Sequence, residues 1–142
     1  MIISKNTVAA LLMLLSYNAW SAAFNDNGDG TVTDFATGLT WQQSDAHNNI
    51  GRDHSAAIGY CNGLTLAGGG WRLPAVKELS SIVDYRRLIP SINLSYFPDA
   101  LSSDYWSASY ESGIDDAYVV YFWPGTISSQ DTTDELEVRC VR

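Results

Sequence analysis

Basic residues are scarce in this chain: eight lysines and arginines stand against sixteen aspartates and glutamates. Such a balance argues against nucleic acid, anionic glycans and anionic membrane surfaces as partners, since the protein's own field repels each of them. Cations, neutral sugars and proteins remain. Histidine is nearly missing, and the separation of His47 from His54 fits no common zinc motif. No serine sits in a nucleophile elbow and no histidine occurs in the C-terminal half, so nothing supports a serine-hydrolase triad. No apolar run is long enough to span a bilayer. Internal repeats, low-complexity tracts and linkers are also lacking, which predicts a single domain.

The chain does carry an export signal over residues 1–23. Lys5 supplies the positive start, Val8 to Leu15 a short apolar run, and Ser21-Ala22-Ala23 small residues for cleavage before Phe24. Cleavage after Ser21 or Ala22 is the alternative. No cysteine follows the cleavage region, so no lipid anchor is expected there. The remaining residues, 24–142, suit one domain with a real core and keep seven basic against sixteen acidic residues, a net charge near −9. The expected location is an oxidising compartment, periplasmic or extracellular. In such a compartment two cysteines, Cys61 and Cys140, are expected to close into one disulfide. The alternative is a pair of unpaired buried thiols.

Asn25-Asp26-Asn27-Gly28-Asp29-Gly30 is a dense set of turn formers. Thr31–Asp34 and Leu39–Gln42 then read as a β-hairpin, with Gly38 free to take a positive φ. Asp53 is a candidate N-cap for a first helix that places Ala57, Tyr60, Cys61 and Leu64 on one face. Pro74 suits the start of a second helix with Val76, Leu79, Ile82 and Val83 as its apolar stripe. Residues 86–104 show no period and read as a long loop. Tyr105–Ser109, Ala117–Phe122, Thr126–Gln130 and Leu136–Val141 are predicted strands, which makes the domain α+β.

Five motifs occur together in order: Asn27-Gly28-Asp29-Gly30-Thr31-Val32-Thr33-Asp34, Thr37-Gly38-Leu39-Thr40-Trp41, Gly70-Trp71-Arg72-Leu73-Pro74 with Glu78-Leu79, Tyr105-Trp106-Ser107-Ala108-Ser109, and Val138-Arg139-Cys140-Val141-Arg142. In these the chain resembles the Lcl C-terminal domain family, a bacterial domain of unknown function, over essentially all of residues 24–142. The resemblance implies a C-type-lectin-like fold: two helices against a small antiparallel sheet, the N-terminal hairpin close to the C-terminal strand, and a disulfide from the first helix to the last strand. The family's namesake is a collagen-like surface adhesin associated with sulfated glycans. This chain departs from it in having no collagen-like repeat and an acidic balance, so glycosaminoglycan binding is not carried over.

Three acidic groups stand out. Asn25, Asn27, Asp29 and Gly30 fall at calcium-loop positions, but Ala36 stands where a bidentate glutamate is required. Asp26, Asp29 and Asp34 are the candidate calcium ligands, against a reading in which their side chains bond the backbone of a tight turn. Glu111, Asp115 and Asp116, with Tyr105, Trp106 and Tyr118 nearby, mark the candidate ligand loop, against a reading as a solvated hairpin turn. Asp131, Asp134, Glu135 and Glu137 read as a charged loop that discourages edge pairing. Arg72 and Glu78 read as a structural ion pair, Trp71 as core, and Trp106 as core with one edge exposed. The sugar-binding calcium triplets of true C-type lectins are absent. The cysteine pair that an oxidase branch of that fold requires is here expected to be bridged.

The reading is therefore an exported, non-enzymatic binding or adhesion module. It would recognise a glycan or protein through loops at one end of the sheet, with calcium as the only candidate cofactor. The alternative is a structural subunit of a cell-envelope or surface assembly that packs against other proteins.

Overall fold

The computed structural model describes residues 23–44 and 50–142. The residues read as an export signal, save Ala23, and His47 lie outside the described residues.

A three-stranded antiparallel sheet opens the domain, with β1 (Phe24–Asp26), β2 (Thr31–Asp34) and β3 (Thr40–Gln42) in that order. The hairpin forms as its alternation predicts, with Val32 opposite Trp41. Upstream the structure differs. Asn25 and Asp26 are strand residues facing Thr33 and Val32, and the turn is confined to residues 27–30. Cross-strand pairing overrides the local preference of Asn and Asp for turns. Gly28 and Gly30, at φ of +74° and +85°, make the tight return.

Helix α1 (His54–Gly63) starts at Asp53, whose carboxylate accepts from the Ala56 N–H at 2.8 Å. Ala57 and Cys61 are buried on its inner face. Helix α2 (Val76–Ser80) is short, and Glu78 accepts from the Ala75 N–H at its start. The stripe read for this helix runs past its end: Leu79 and Ile82 are buried, but Ile82 already lies in the turn that follows. Arg72 and Glu78 form a two-bond ion pair at 2.6 and 2.8 Å. The guanidinium holds the Glu78 carboxyl below its usual range.

The second sheet is a meander of β4 (Asp104–Tyr110), β5 (Asp116–Tyr121) and β6 (Thr126–Asp131). Its pairing shifts register between Trp106 and Tyr110. There the Ser107 hydroxyl donates to the Tyr118 carbonyl, and the Ala108 N–H goes to Pro74 instead of a strand. A bulge of this kind re-aims the strand end. Both faces of the sheet are covered. Trp106, Ala117 and Val119 pack with Ala57 and Cys61 of α1, while Tyr105, Val120 and Phe122 pack with Leu79 of α2.

The last predicted strand, Leu136–Val141, is not a ladder. It is a series of single bridges: Leu136 to Arg52, Glu137 to Tyr105, and Val141 to both Trp41 and Arg72. Its backbone bonds pass from Arg52 to Asp104 and Trp106 and then to Arg72 and β3, so no one strand runs alongside its whole length. Through the mutual hydrogen bonds of Arg142 and Thr40 at 2.9 Å, the C-terminus lies against β3. Within the same segment Cys140 is bonded to Cys61, with 5.5 Å between their Cα atoms. The two sheets, α1 and the chain end thus meet at one buried point.

In the segment 81–103, Asp84 closes a local turn. Its carboxylate accepts from the Arg86 N–H and guanidinium and from Arg87, all at 3.0–3.1 Å. These bonds, Arg86 foremost, pull its carboxyl down to about 2. A carboxyl depressed in the fold adds stability above its unfolded value of about 3.9 and loses it as pH falls through the folded value. Asp84→Asn is therefore expected to lower the melting midpoint at pH 7. The gap from wild type should shrink between about pH 4 and pH 2. Because Arg86 is 88% exposed, the gap should be modest and narrow in salt. A gap that stays constant down to pH 2 would show that the loss is steric.

Candidate functional site

The three carboxylates proposed for calcium are each turned to their own stretch of backbone. Asp26 accepts from the Gly28 N–H and from Gln43; Asp29 accepts from the Thr31 N–H and hydroxyl; Asp34, buried, accepts from the Ala36 N–H and the Thr37 hydroxyl. These bonds hold the Asp26 and Asp29 carboxyls below their usual range. The geometry is that of side chains closing turns. Among the described residues, no three His, Cys, Asp or Glu side chains converge as a metal site.

Of the residues read as the ligand loop, Tyr105 and Trp106 are corrected. Tyr105 is 3% and Trp106 0% exposed, and no edge of the indole reaches the surface. They point to opposite faces of a sheet that is covered on both sides, so both go inward. Their polar atoms are engaged as well: the Tyr105 hydroxyl accepts from the Leu101 N–H, and the Trp106 N–H donates to the Arg52 carbonyl at 2.7 Å. Tyr118 is partly buried on β5, on the opposite sheet face from Ala117.

Asp116 pairs directly with Asp131 across β5 and β6. Desolvation first, then the charges of Asp131, Glu111, Asp134 and Asp115, raise its carboxyl above the usual range. The acidic groups that sequence kept apart are thus one patch at this end of the sheet.

Beside that patch lies a cleft of about 390 Å³, lined by Asp53, His54, Ser55, Tyr110, Asp115, Thr132 and Thr133. Backbone bonds assemble it. The His54 N–H donates to the Thr132 carbonyl at 3.0 Å, and the Thr132 N–H donates to the Asp115 carbonyl at 3.2 Å. The start of α1 is thereby fixed to the exit of β6 and the β4–β5 turn.

His54 forms the inner wall at 1% exposure, its ring edge-to-face with both Trp106 and Tyr110 at 5.0 and 4.9 Å. Its Nε2 lies 2.8 Å from the Ser107 carbonyl. A carbonyl only accepts, so Nε2 is the donor in this bond. Tyr110, 59% exposed, forms the outer wall. Asp115 is the one residue of the expected ligand set that lines this cleft. His54, Tyr110 and the two threonines had no signal in the sequence beyond their nearness to turns.

The cleft can bind through carboxylates, hydroxyls and one aromatic ring, a mixture suited to small polar ligands. Both cysteines are in the disulfide, so neither provides a thiolate. Compared with known families, residues 30–142 match the model of the Lcl C-terminal domain. No curated protein matches the chain.

Proposed function

The chain belongs to the Lcl C-terminal domain family, and on that footing we propose that it is an exported, non-enzymatic binding module. Its ligand, a glycan or a protein, is taken at the cleft between the start of α1, the β4–β5 turn and the exit of β6. One observation carries this reading: three segments distant in sequence are bonded backbone to backbone around a cleft that presents carboxylates, hydroxyls and the exposed Tyr110 ring. Rigid scaffolds with polar loops of this kind are where recognition concentrates. We read the fold as C-type-lectin-like, supported by the helix-to-C-terminus disulfide and by the N-terminal hairpin lying against the chain end. Residues 1–23 read as the export signal, and the disulfide suits a periplasmic or extracellular setting.

The test is a two-dimensional amide NMR titration of the purified, oxidised protein with a panel of neutral sugars, amino sugars and short peptides. Shifts should gather at Ser55, Tyr110, Asp115 and Thr133, and disappear in Asp115→Ala with Asp116→Ala, which should fold normally. A response confined to other faces, or unchanged in the double variant, would remove the cleft from the hypothesis.

A second reading, a subunit of a surface assembly, rests on Tyr85, Leu88 and Ile89, exposed at 72, 66 and 62% on the segment 81–103. In the same spectra it requires concentration-dependent shifts at those three residues without added ligand.

A further inference from the structure

Arg86-Arg87 is the one place in the chain where two basic residues are adjacent. The pair sits at the apex of a loop whose base is tied. The Asp84 N–H donates to the Ser91 carbonyl and the Ser91 N–H to the Phe122 carbonyl, both at 2.8 Å. Tyr85 reaches the β5–β6 turn, its hydroxyl donating to the Gly125 carbonyl at 3.5 Å. Between those anchors the chain stands clear. Arg86, Leu88 and Ile89 are exposed, and the N–H groups of Leu88 and Ile89 have no hydrogen-bond partner among the described residues. Exposed loop tips of this kind are where proteases nick, since they open without unfolding an element.

The other basic residues after residue 24 are shielded at the backbone or lie at the chain end. Arg52 and Arg72 exchange backbone hydrogen bonds with Leu136 and Val141, Lys77 lies in α2, Arg139 is buried, and Arg142 is the last residue. A protease whose specificity pocket takes an arginine cannot bind Arg52, Arg72, Lys77 or Arg139 as an extended strand until that structure opens. Within the pair the second arginine is the freer. The Asp84 carboxylate accepts from the Arg86 N–H and two of its guanidinium nitrogens, but from Arg87 through Nε alone.

We propose that the Arg87–Leu88 bond is a processing site for an endoprotease of arginine specificity. Water adds across that bond: the Arg87 carbonyl carbon becomes a carboxylate and the Leu88 nitrogen an ammonium. The halves do not part. Cys61 precedes the cut and Cys140 follows it, so the disulfide keeps them one covalent molecule. The bonds of Asp84, Ser91 and Phe122 lie outside the opened apex and hold its new ends near the sheet. What processing alters is the apolar tip, for Leu88 and Ile89 leave a closed loop and become a chain end. This tip is at the other end of β5 from Asp115 and the cleft.

The experiment is limited digestion of the purified, oxidised protein, with trypsin as the probe and mass spectrometry before and after reduction. The first product should be heavier than the intact chain by one water. On reduction it should separate into pieces that end at Arg87 and start at Leu88. This cut should run about tenfold or more faster than any other within residues 24–142, because local opening costs less than unfolding an element. Arg86→Gln with Arg87→Gln should keep the chain intact about tenfold longer, although it loses bonds to Asp84 and melts no higher than wild type. Asp84→Asn should be cut faster. A first cut after Arg52, Arg72, Lys77, Arg86 or Arg139, or a double variant cut as fast as wild type, would overturn the proposal. Loss of the melting transition in the cut, unreduced protein would overturn its persistence as a two-chain domain.

Discussion

Cys140→Ser is expected to destabilise the domain by about 4 kcal/mol, lowering the melting midpoint by roughly 15 °C. The bridge spans 79 residues, and closing a loop of that length removes much of the unfolded chain's freedom. The location adds to the loss. Both sulfurs are fully buried where Trp71, Trp106 and Val138 pack, and the backbone around Cys140 is paired along β3 over residues 140–142 alone. So short a pairing holds the chain end less firmly than a long ladder once the cross-link is gone. Urea unfolding of the single variant and of Cys61→Ser with Cys140→Ser would measure the effect, the double variant leaving no free thiol. A loss below about 1 kcal/mol in both would mean that packing alone seats the C-terminus.

The second large effect is expected at Arg139. Its side chain is 2% exposed, and it donates to the Gln42 and Gln43 carbonyls at 2.8 and 2.6 Å and to Asp99 at 3.1 Å. Its guanidinium also lies 5.0 Å from the Phe97 ring centre. Arg139→Met fills similar space but strips donors from two carbonyls and the cation from Asp99. Removing one member of a buried charged network costs about 3–5 kcal/mol. Lysine should recover less than half of it, since a point charge cannot span three acceptors that a planar fork reaches at once. Full rescue by Arg139→Lys in urea melts would show that charge alone matters there.

Much of this domain was legible before folding. Alternation marked the β2–β3 hairpin and the strands β4 to β6 because a period of two survives in any sheet context. Asp53 announced α1 because capping is a local bond. The disulfide, expected from two cysteines in a chain read as exported, is formed. Other features were hidden. Asn25 and Asp26 look like turn chemistry and become strand residues only because β2 offers an edge. Residues 136–141 alternate as a strand does, and Val138 and Cys140 are buried accordingly, yet four separate partners replace the ladder. Tyr105 and Trp106 looked like ligand residues beside an acidic loop, but the coverage of both sheet faces buries them.

Sequence by itself determined the covalent tie, the local caps and turns, the alternation of the strands and the acidic charge, all of which act between near neighbours or through composition. Tertiary structure decided which aromatics are core and which line the surface. It also decided which carboxylates close their own turns, and that His54 is buried between Trp106 and Tyr110 at the wall of a cleft. Those outcomes depend on which atoms from distant segments compete for the same donor or the same space, and no local pattern carries that information.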